Sequence, residues 1–218
     1  MTQPLTQHVA VDHLVVAAAS LEAGVAWCES TLGVTPGPCG KHPLMATHNR
    51  LLKIASENFP LAYLEVIAID PGAPPPGRAR WFGLDTLDLS AGPRLLHFVA
   101  RSDMLDMHRW GLITLGLHPG DPVKASRDTP QGPLSWDILV RSDGALLCGG
   151  ALPTLIQWRG AHPAQRLTES GVSLQSLALG GVPPRARELL RLRAVSWAET
   201  PALTATLSTP LGLVTLST

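Results

Sequence analysis

The sequence predicts an α+β fold made of two paired βαβββ modules, and three observations support this prediction. The two halves of the chain open with similar segments, VDHLVVAAASLEAG and LLHFVARSDMLDMH, in which an apolar strand with a single histidine leads into a helix. The two helices end in matching tetrapeptides, TLGV and TLGL. His13 and His97 are 84 positions apart, and Thr31 and Thr114 are 83 apart, so the two copies keep one spacing through strand and helix.

In the first module, the strand around His13 is followed by Ser20, a residue type that commonly caps the start of a helix. Gly33, after the last apolar position, suits the left-handed conformation that ends many helices. HNRLLKIA and AYLEVIAID are then predicted as strands because they are short apolar runs bounded by turn residues. One helix face is marked by apolar residues at intervals of four, three and four: Leu21, Val25, Cys28 and Leu32.

The second module follows the same order. Asp103 is predicted to cap its helix and Gly116 to end it. Its predicted strands are LSWDILV, then ALLCGG after a turn at residues 142–144, and finally PTLIQW.

A shorter C-terminal unit is predicted to form a partial third βαβββ-like module. GVSLQSLALG is predicted as a strand, PPRARELLRLR as a helix, and AVSWAE, LTATLST and GLVTLST as a small meander. Leu174 and Gln175 stand where the other units carry histidine, so this unit is expected to be structural. The predicted division is a first module at 8–70, a proline-rich connector at 71–93, a second module at 94–160 and the third unit at 161–218.

Composition limits the classes of partner. The 218 residues are 45% hydrophobic and 16% charged, with 17 basic and 17 acidic side chains, as expected of a globular protein. Without a Lys/Arg cluster, small molecules or proteins are better candidates than nucleic acid or a membrane surface. No apolar run reaches the length of a membrane span, and MTQPLTQHVA lacks the features of a secretory signal. The three cysteines match no zinc spacing and indicate reduced thiols in a cytoplasmic protein.

Four apolar strands carry one ligand-capable group each: His13, Glu65, His97 and Gln157. An ionised carboxylate such as Glu65 is costly in a buried strand unless it is paired or bound. If the two modules face each other, the four side chains can meet in one cleft. Two imidazoles, a carboxylate and an amide oxygen suit zinc, iron, manganese or nickel, and this mixed set favours an open metal site that also holds substrate.

Each of these residues also has a purely structural alternative. Glu65 could pair with a buried arginine such as Arg50 or Arg101. Gln157 could satisfy its amide with backbone hydrogen bonds. His97 would point away from the cleft if its strand shifted by one residue, and either histidine could be a hydrogen-bonded core side chain.

Other residues are candidates for substrate contact. Trp136 and Trp158 would suit an aromatic wall, although tryptophan is more often plain packing. His162 lies in a connector and is expected at the surface. Three polar residues could line the mouth of the cleft or make ordinary turn contacts: His42, His48 and Asn49.

The sequence resembles the vicinal oxygen chelate superfamily, which includes glyoxalase I, extradiol dioxygenases and bleomycin-resistance proteins. It is most similar there to bacterial glyoxalase-like domain proteins, over about residues 10–190. The matching stretches are DHLVVAA (12–18), KHPLMATHNRLLKI (41–54), YLEVIAIDP (63–71), RARWFGLD (78–85), LIQW (155–158) and HPA (162–164).

The resemblance implies paired βαβββ modules around a cleft between curved mixed sheets, with metal ligands on the first and last strand of each module. His13, Glu65, His97 and Gln157 match those positions. Metal-dependent glyoxalases carry a glutamate where Gln157 stands, which leaves Glu65 as the carboxylate for catalysis. The modules could pair within one chain or across a homodimer, since the superfamily uses both.

The implied function is a lyase, isomerase or dioxygenase acting on a small organic molecule through a divalent metal. Two alternatives remain open from the sequence. One is a metal-free protein that sequesters a small molecule, as bleomycin-resistance proteins do. The other is a protein whose cleft is filled by its own side chains and whose role is oligomerisation.

Overall fold

A computed structural model describes residues 9–129, 132–200 and 202–218. The predicted first module begins at residue 8, which lies outside these ranges. The first module contains β1 (Ala10–Ala17), α1 (Leu21–Leu32), β2 (Cys39–His42), β3 (Thr47–Lys53) and β4 (Tyr63–Ile69). The second contains β5 (Arg94–Arg101), α2 (Leu105–Thr114), β6 (Asp121–Arg127), β7 (Leu134–Val140) and β8 (Thr154–Arg159). The third unit contains β9 (Ser173–Gly180), α3 (Pro184–Leu190), β10 (Val195–Ala198), β11 (Leu203–Thr209) and β12 (Gly212–Ser217).

The two modules pair within one chain and form a single eight-stranded sheet in the order β2-β3-β4-β1-β5-β8-β7-β6. In each module the first strand runs parallel to the last, as β1 does to β4 and β5 to β8. β1 and β5 run antiparallel and join the modules at the centre. The sheet is curved, so its two edges approach each other: Arg127 at the end of β6 donates a hydrogen bond to Asn49 of β3. The predicted α+β class with paired βαβββ modules is confirmed.

Side-chain alternation along the strands separates two apolar layers. On β1, Leu14 and Val16 pack in the larger core beneath the helices. Val15 and Ala17 face the concave side of the sheet, where a second apolar cluster lies. The concave side is where the candidate site is found, and His13 belongs to it.

The first helix begins and ends as predicted: Ser20 accepts a hydrogen bond from the Ala23 amide, and Gly33 is left-handed with φ 72°. The cap of the second helix was predicted wrongly. Met104, not Asp103, is its N-cap residue. The Met104 amide donates to the Ser102 hydroxyl, which is itself held by His108.

One strand of the second module was also predicted wrongly. ALLCGG contains a short 3₁₀ turn in place of a strand, and Gly149 and Gly150 adopt positive φ values there. The missing strand is β6, whose sequence DPVKASR is polar because it lies at the sheet edge with exposed side chains. An apolar pattern does not reveal such a strand.

The third unit has the predicted order of elements but a different strand pairing. Its sheet runs β10-β9-β11-β12. β10 lies parallel to β9, so the predicted three-strand meander is wrong, although β11 and β12 do form a hairpin. Leu174, Leu177 and Leu179 of β9 belong to the same core as the helix side of the main sheet. Among the described residues, no helix combines the length and the apolar character needed to cross a bilayer.

Candidate active site

A β-bulge at Asp12 builds the centre of the site. On β1, Val11 pairs with Ala100 and His13 with Val99, so Asp12 is an extra residue in the antiparallel ladder. A bulge changes the direction of a side chain without ending the strand. Asp12 and His13 are sequence neighbours that would otherwise face opposite sides of the sheet. Here the Asp12 Oδ1 atom lies 2.7 Å from Nδ1 of His13.

Asp12 anchors the site. It is fully buried. Its other oxygen, Oδ2, lies 2.8 Å from Nε2 of His162 and accepts a hydrogen bond of 2.9 Å from the indole N–H of Trp158. The Ala164 amide donates to Nδ1 of His162, so the proton of that ring is on Nε2 and points at Asp12. One carboxylate therefore accepts three hydrogen bonds, from β1, β8 and the connector after β8.

Glu65 faces His13 across the neighbouring strand. Nε2 of His13 lies 3.5 Å from Oε2 of Glu65. The other oxygen, Oε1, accepts a hydrogen bond of 2.5 Å from the amide of Asn49, whose own oxygen accepts one of 3.1 Å from Arg127. A polar chain thus runs from Arg127 through Asn49, Glu65 and His13 to Asp12. This chain explains how a buried strand tolerates an ionised glutamate.

The two central groups form an ion pair. Burial disfavours the imidazolium of His13, but its contacts with Asp12 and Glu65 outweigh that cost and raise its pKa to about 9. Burial likewise disfavours the Glu65 carboxylate, but the proton and charge of His13, with help from His42 and Asn49, lower the pKa of Glu65 to about 2. Near neutral pH His13 is positively charged and Glu65 is negatively charged.

Aromatic side chains wall the cleft. Trp136 and Trp158 pack with ring centroids 5.3 Å apart, and the His13 ring stacks on Tyr63 at 4.5 Å. Trp81 and Phe82 complete the wall. The space between these walls is about 30 Å³, room for about two water molecules. Only a group of a few atoms fits there without movement of the walls.

Among the residues that the structure describes, two buried N–H donors of cleft-lining side chains find no hydrogen-bond partner. They are the indole N–H of Trp81 and the Nε–H of Arg127. Leaving a buried donor unpaired costs about 1 to 3 kcal/mol. Oxygen atoms of a ligand would remove this cost.

Of the five predicted substrate-contact residues, four line the cleft and one does not. His42 and Asn49 line the cleft with Trp136 and Trp158. Nε2 of His42 lies 3.4 Å from the amide nitrogen of Asn49, and burial lowers the pKa of this histidine to about 4, so its ring is neutral. His48 is one residue from Asn49 on the strand and does not line the cleft, since adjacent side chains point to opposite faces.

His97 is held away from the other predicted ligands. Its Nε2 accepts a hydrogen bond of 3.0 Å from the Thr154 amide, and its Nδ1 donates one of 2.8 Å to the Gly150 carbonyl. Complete burial lowers the pKa of His97 to about 3. Both ring nitrogens are occupied, so neither offers a free lone pair to a metal.

Gln157 faces the outside of the sheet. Its neighbours on β8, Ile156 and Trp158, line the cleft, but its own amide donates to the Asp103 carbonyl. The four predicted ligands are therefore not brought together: His13 and Glu65 meet, whereas His97 and Gln157 lie elsewhere.

The side chains as placed do not fit a divalent metal. Among the described residues, no three His, Cys, Asp or Glu side chains are grouped so that they could hold one. The role of His13 and Glu65 as metal ligands stays a prediction.

Sequence reasoning missed several residues of this site, among them Asp12, Trp81, Arg127 and His162. His162 was expected at the surface but is buried, because its ring caps the turn at Pro163–Gln165 and reaches Asp12. The dipeptide Asp-His in β1 and the HPA triplet were the available signals. Arg127 lies at the end of a polar edge strand, where no pattern marks it.

The fold and site can now be compared with known proteins. The family model described as "Glyoxalase-like domain" matches residues 11–193. The chain belongs to the glyoxalase-like domain family. This match confirms the resemblance to the vicinal oxygen chelate superfamily. No curated protein matches the sequence.

Solved structures with a similar fold are distant in sequence. A hypothetical protein from Staphylococcus aureus is 15% identical, with 79% of this chain and 70% of that chain covered and a TM-score of 0.56. Methylmalonyl-CoA epimerase from Mycobacterium tuberculosis is 16% identical, with 72% and 91% covered and a TM-score of 0.41. A methylmalonyl-CoA epimerase from Streptomyces coelicolor is 13% identical, with 70% and 96% covered and a TM-score of 0.44.

We expect the stability of this glyoxalase-like protein to peak near pH 6.5. The raised pKa of His13 contributes stability that is complete below pH 6.5 and is lost as the pH rises to about 9. The lowered pKa of Glu65 contributes stability that is lost as the pH falls from 4.5 towards 2. His42 and His97 are buried neutral with lowered pKa values, so they destabilise the fold as the pH falls below 6.5.

Urea unfolding between pH 4 and pH 9 measures this profile. Above pH 6.5 the free energy of unfolding should fall by about 1 kcal/mol per pH unit. The variant His13→Gln should lose this alkaline decline while keeping the acid one. A profile of the unmodified protein that is level from pH 6.5 to pH 9 would contradict the charged state assigned to His13.

Proposed function

We propose that the protein catalyses proton transfer on a small organic molecule, as an isomerase or lyase, with Glu65 as the base and His13 as the acid. The observation that carries this proposal is the line Asp12–His13–Glu65, in which a buried acid and a buried base lie 3.5 Å apart in a cleft. General acid–base catalysis needs two such groups within reach of one substrate.

Asp12 supports His13 in this role. Its contact with Nδ1 fixes the imidazole orientation and leaves Nε2 on the side of Glu65. The distance of 3.5 Å to Glu65 is long for a hydrogen bond. A substrate oxygen placed beside Nε2 could therefore take its proton with little competition.

Glu65 would become more basic when a substrate binds. In the free protein the proton and charge of His13 lower the pKa of Glu65. A substrate oxygen that accepts the His13 proton weakens that effect, and exclusion of water also raises the pKa of a carboxyl group. Both changes bring Glu65 towards the range in which a carboxylate can remove a proton next to a carbonyl.

The unpaired N–H groups of Trp81 and Arg127 provide the electrophilic side of the site. Removing a proton beside a carbonyl places negative charge on its oxygen, and fixed donors that face this charge lower the barrier. These donors favour a substrate with a carbonyl or carboxylate oxygen. They support isomerase or lyase chemistry over a dioxygenase, and no step of the proposal uses the divalent metal implied by the superfamily.

The substitution Glu65→Gln tests the proposal. Exchange of the proton next to the carbonyl can be followed by NMR in D₂O with a panel of small 2-oxo and 3-oxo carboxylates. The variant should lose about 10² to 10⁴ of the exchange rate because the amide cannot accept the proton. Glu188→Gln, at an exposed position of α3, is the matched control and should exchange at the rate of the unmodified protein.

Sequestration of a small molecule is the second candidate function, and the aromatic wall of Trp81, Phe82, Trp136 and Trp158 favours it. The same panel separates the two candidates. Proton exchange that is lost in Glu65→Gln supports the enzyme. Ligands that bind to the unmodified protein without any exchange would support sequestration and overturn the enzymatic proposal.

A further inference from the structure

A second, larger cavity lies beside the cleft, between the β2–β3 edge of the sheet, the end of β6 and the segment 163–170. We call it the outer cavity. Its volume is about 600 Å³, against about 30 Å³ for the cleft. A volume of this size is within the range of small-molecule sites.

The outer cavity and the cleft share part of their lining. Leu51 and Arg127 contribute to both spaces. Arg127 also donates to Asn49, which holds Glu65. A molecule in the outer cavity that contacts Arg127 would therefore touch the first residue of the polar chain that leads to Glu65.

The exposed lining of the outer cavity is mostly apolar, and its cations Lys53 and Arg166 already have hydrogen-bond partners. Lys53 pairs with Glu169. Arg166 donates to the Thr129 hydroxyl and the Gly132 carbonyl. Apolar residues from four segments of the chain contribute to it, among them Val34, Leu51, Leu52, Leu134, Pro163 and Leu167.

Arg127 differs from Lys53 and Arg166 because its buried Nε–H has no partner among the described residues. This Nε–H therefore belongs to a cationic residue that lines both the outer cavity and the cleft. Asp128, an acidic residue that also lines the cavity, is exposed.

We infer that the outer cavity binds the apolar chain of an amphiphilic carbonyl acid, whose oxygen-bearing head passes Arg127 and enters the cleft at Glu65. This inference rests on the proposed function and names its substrate class. The cleft admits only the few atoms of the reacting head, whereas the outer cavity has room and apolar surface for a chain. A cation at the junction suits a carboxylate or enolate head at that point.

Binding of a homologous series to the Glu65→Gln variant tests this inference without turnover. The probes are straight-chain 2-oxo carboxylates of three to ten carbons, and calorimetry measures their affinity. Each methylene that enters the apolar cavity should strengthen binding about fourfold, the equivalent of about 0.8 kcal/mol per buried CH₂. Leu167→Trp, which fills the outer cavity, should abolish this dependence on chain length. Leu44→Trp, at an exposed site outside both spaces, should leave it unchanged.

Alkylation of Cys39 provides a second measurement that does not depend on the tryptophan variants. Cys39 is exposed and lines the outer cavity, while Cys28 is buried with a pKa raised to about 12 and Cys148 is half-buried. The ten-carbon probe should slow the reaction of Cys39 with a maleimide at least several-fold, and the three-carbon probe should not.

The outcomes separate this inference from the proposed function. Affinity that does not change with chain length, or a Cys39 reaction that no probe slows, would overturn the outer-cavity inference. Loss of proton exchange in Glu65→Gln with short substrates would still support the enzyme in that case. If affinity rises with the length of the probe but the unmodified protein catalyses no proton exchange, the outer-cavity inference stands and the proposed catalytic function is overturned.

Discussion

Replacing Asp12 with asparagine should lower the free energy of unfolding by about 3 kcal/mol and should lower the pKa of His13. Three N–H groups, from His13, His162 and Trp158, point at the two oxygens of this fully buried carboxylate. An asparagine has one oxygen, and its NH₂ group would meet one of these donors. Breaking a buried charge pair by changing one partner typically costs 3 to 5 kcal/mol.

Two measurements follow this change separately. Urea unfolding at pH 6.5 gives the stability, and NMR titration of the histidine ring gives the pKa of His13. The matched control is Asp121→Asn, which removes an exposed salt bridge with Arg109 and should cost less than about 1 kcal/mol. If Asp12→Asn unfolds like this control and His13 titrates as before, Asp12 does not anchor the site.

The repeat made the main sheet predictable. Apolar strands and capped helices are local features of the sequence. They indicate the same order of elements as the constant spacing of the two copies. β1, β3, β4, β5, β7 and β8 are apolar enough to be found in this way. β2 and β6 are short or polar edge strands, so their pairing depends on the neighbouring strand more than on their own sequence.

The four predicted metal ligands show what the sequence pattern could not predict. Equivalent positions in two repeats need not face the same space, because a shift of one residue turns a side chain to the other face of the sheet. Ile156 and Trp158 line the cleft, and this places Gln157 outside. His97 lies on the concave side, but the Thr154 amide and the Gly150 carbonyl occupy its ring.

Glu65 was identified because a carboxylate in an apolar strand is conspicuous, and it does line the cleft. Its partners were harder to find. Strand alternation argues against a contact between adjacent residues, and no sequence pattern marks the bulge that brings Asp12 to His13. His162 is 150 positions from Asp12, and only the closed fold makes them neighbours.

The substitution His97→Ala should destabilise the protein by about 3 kcal/mol while leaving proton exchange close to that of the unmodified protein. The ring fills a fully buried site and joins β5 to the start of β8 through Thr154 and Gly150. Its removal leaves the half-buried Thr154 N–H and the buried Gly150 carbonyl unpaired and opens a cavity, and both effects are destabilising. Urea unfolding measures the first part, and the exchange assay, run where the variant is fully folded, measures the second.

The control is His118→Ala at an exposed position, which should change neither quantity. The result also decides between two roles for His97. A metal ligand would lose activity in the folded variant together with bound metal, and exchange by the unmodified protein would then fall on treatment with a chelator. A structural histidine loses stability alone. Because both nitrogens of His97 are already hydrogen-bonded to the backbone, we expect the structural outcome.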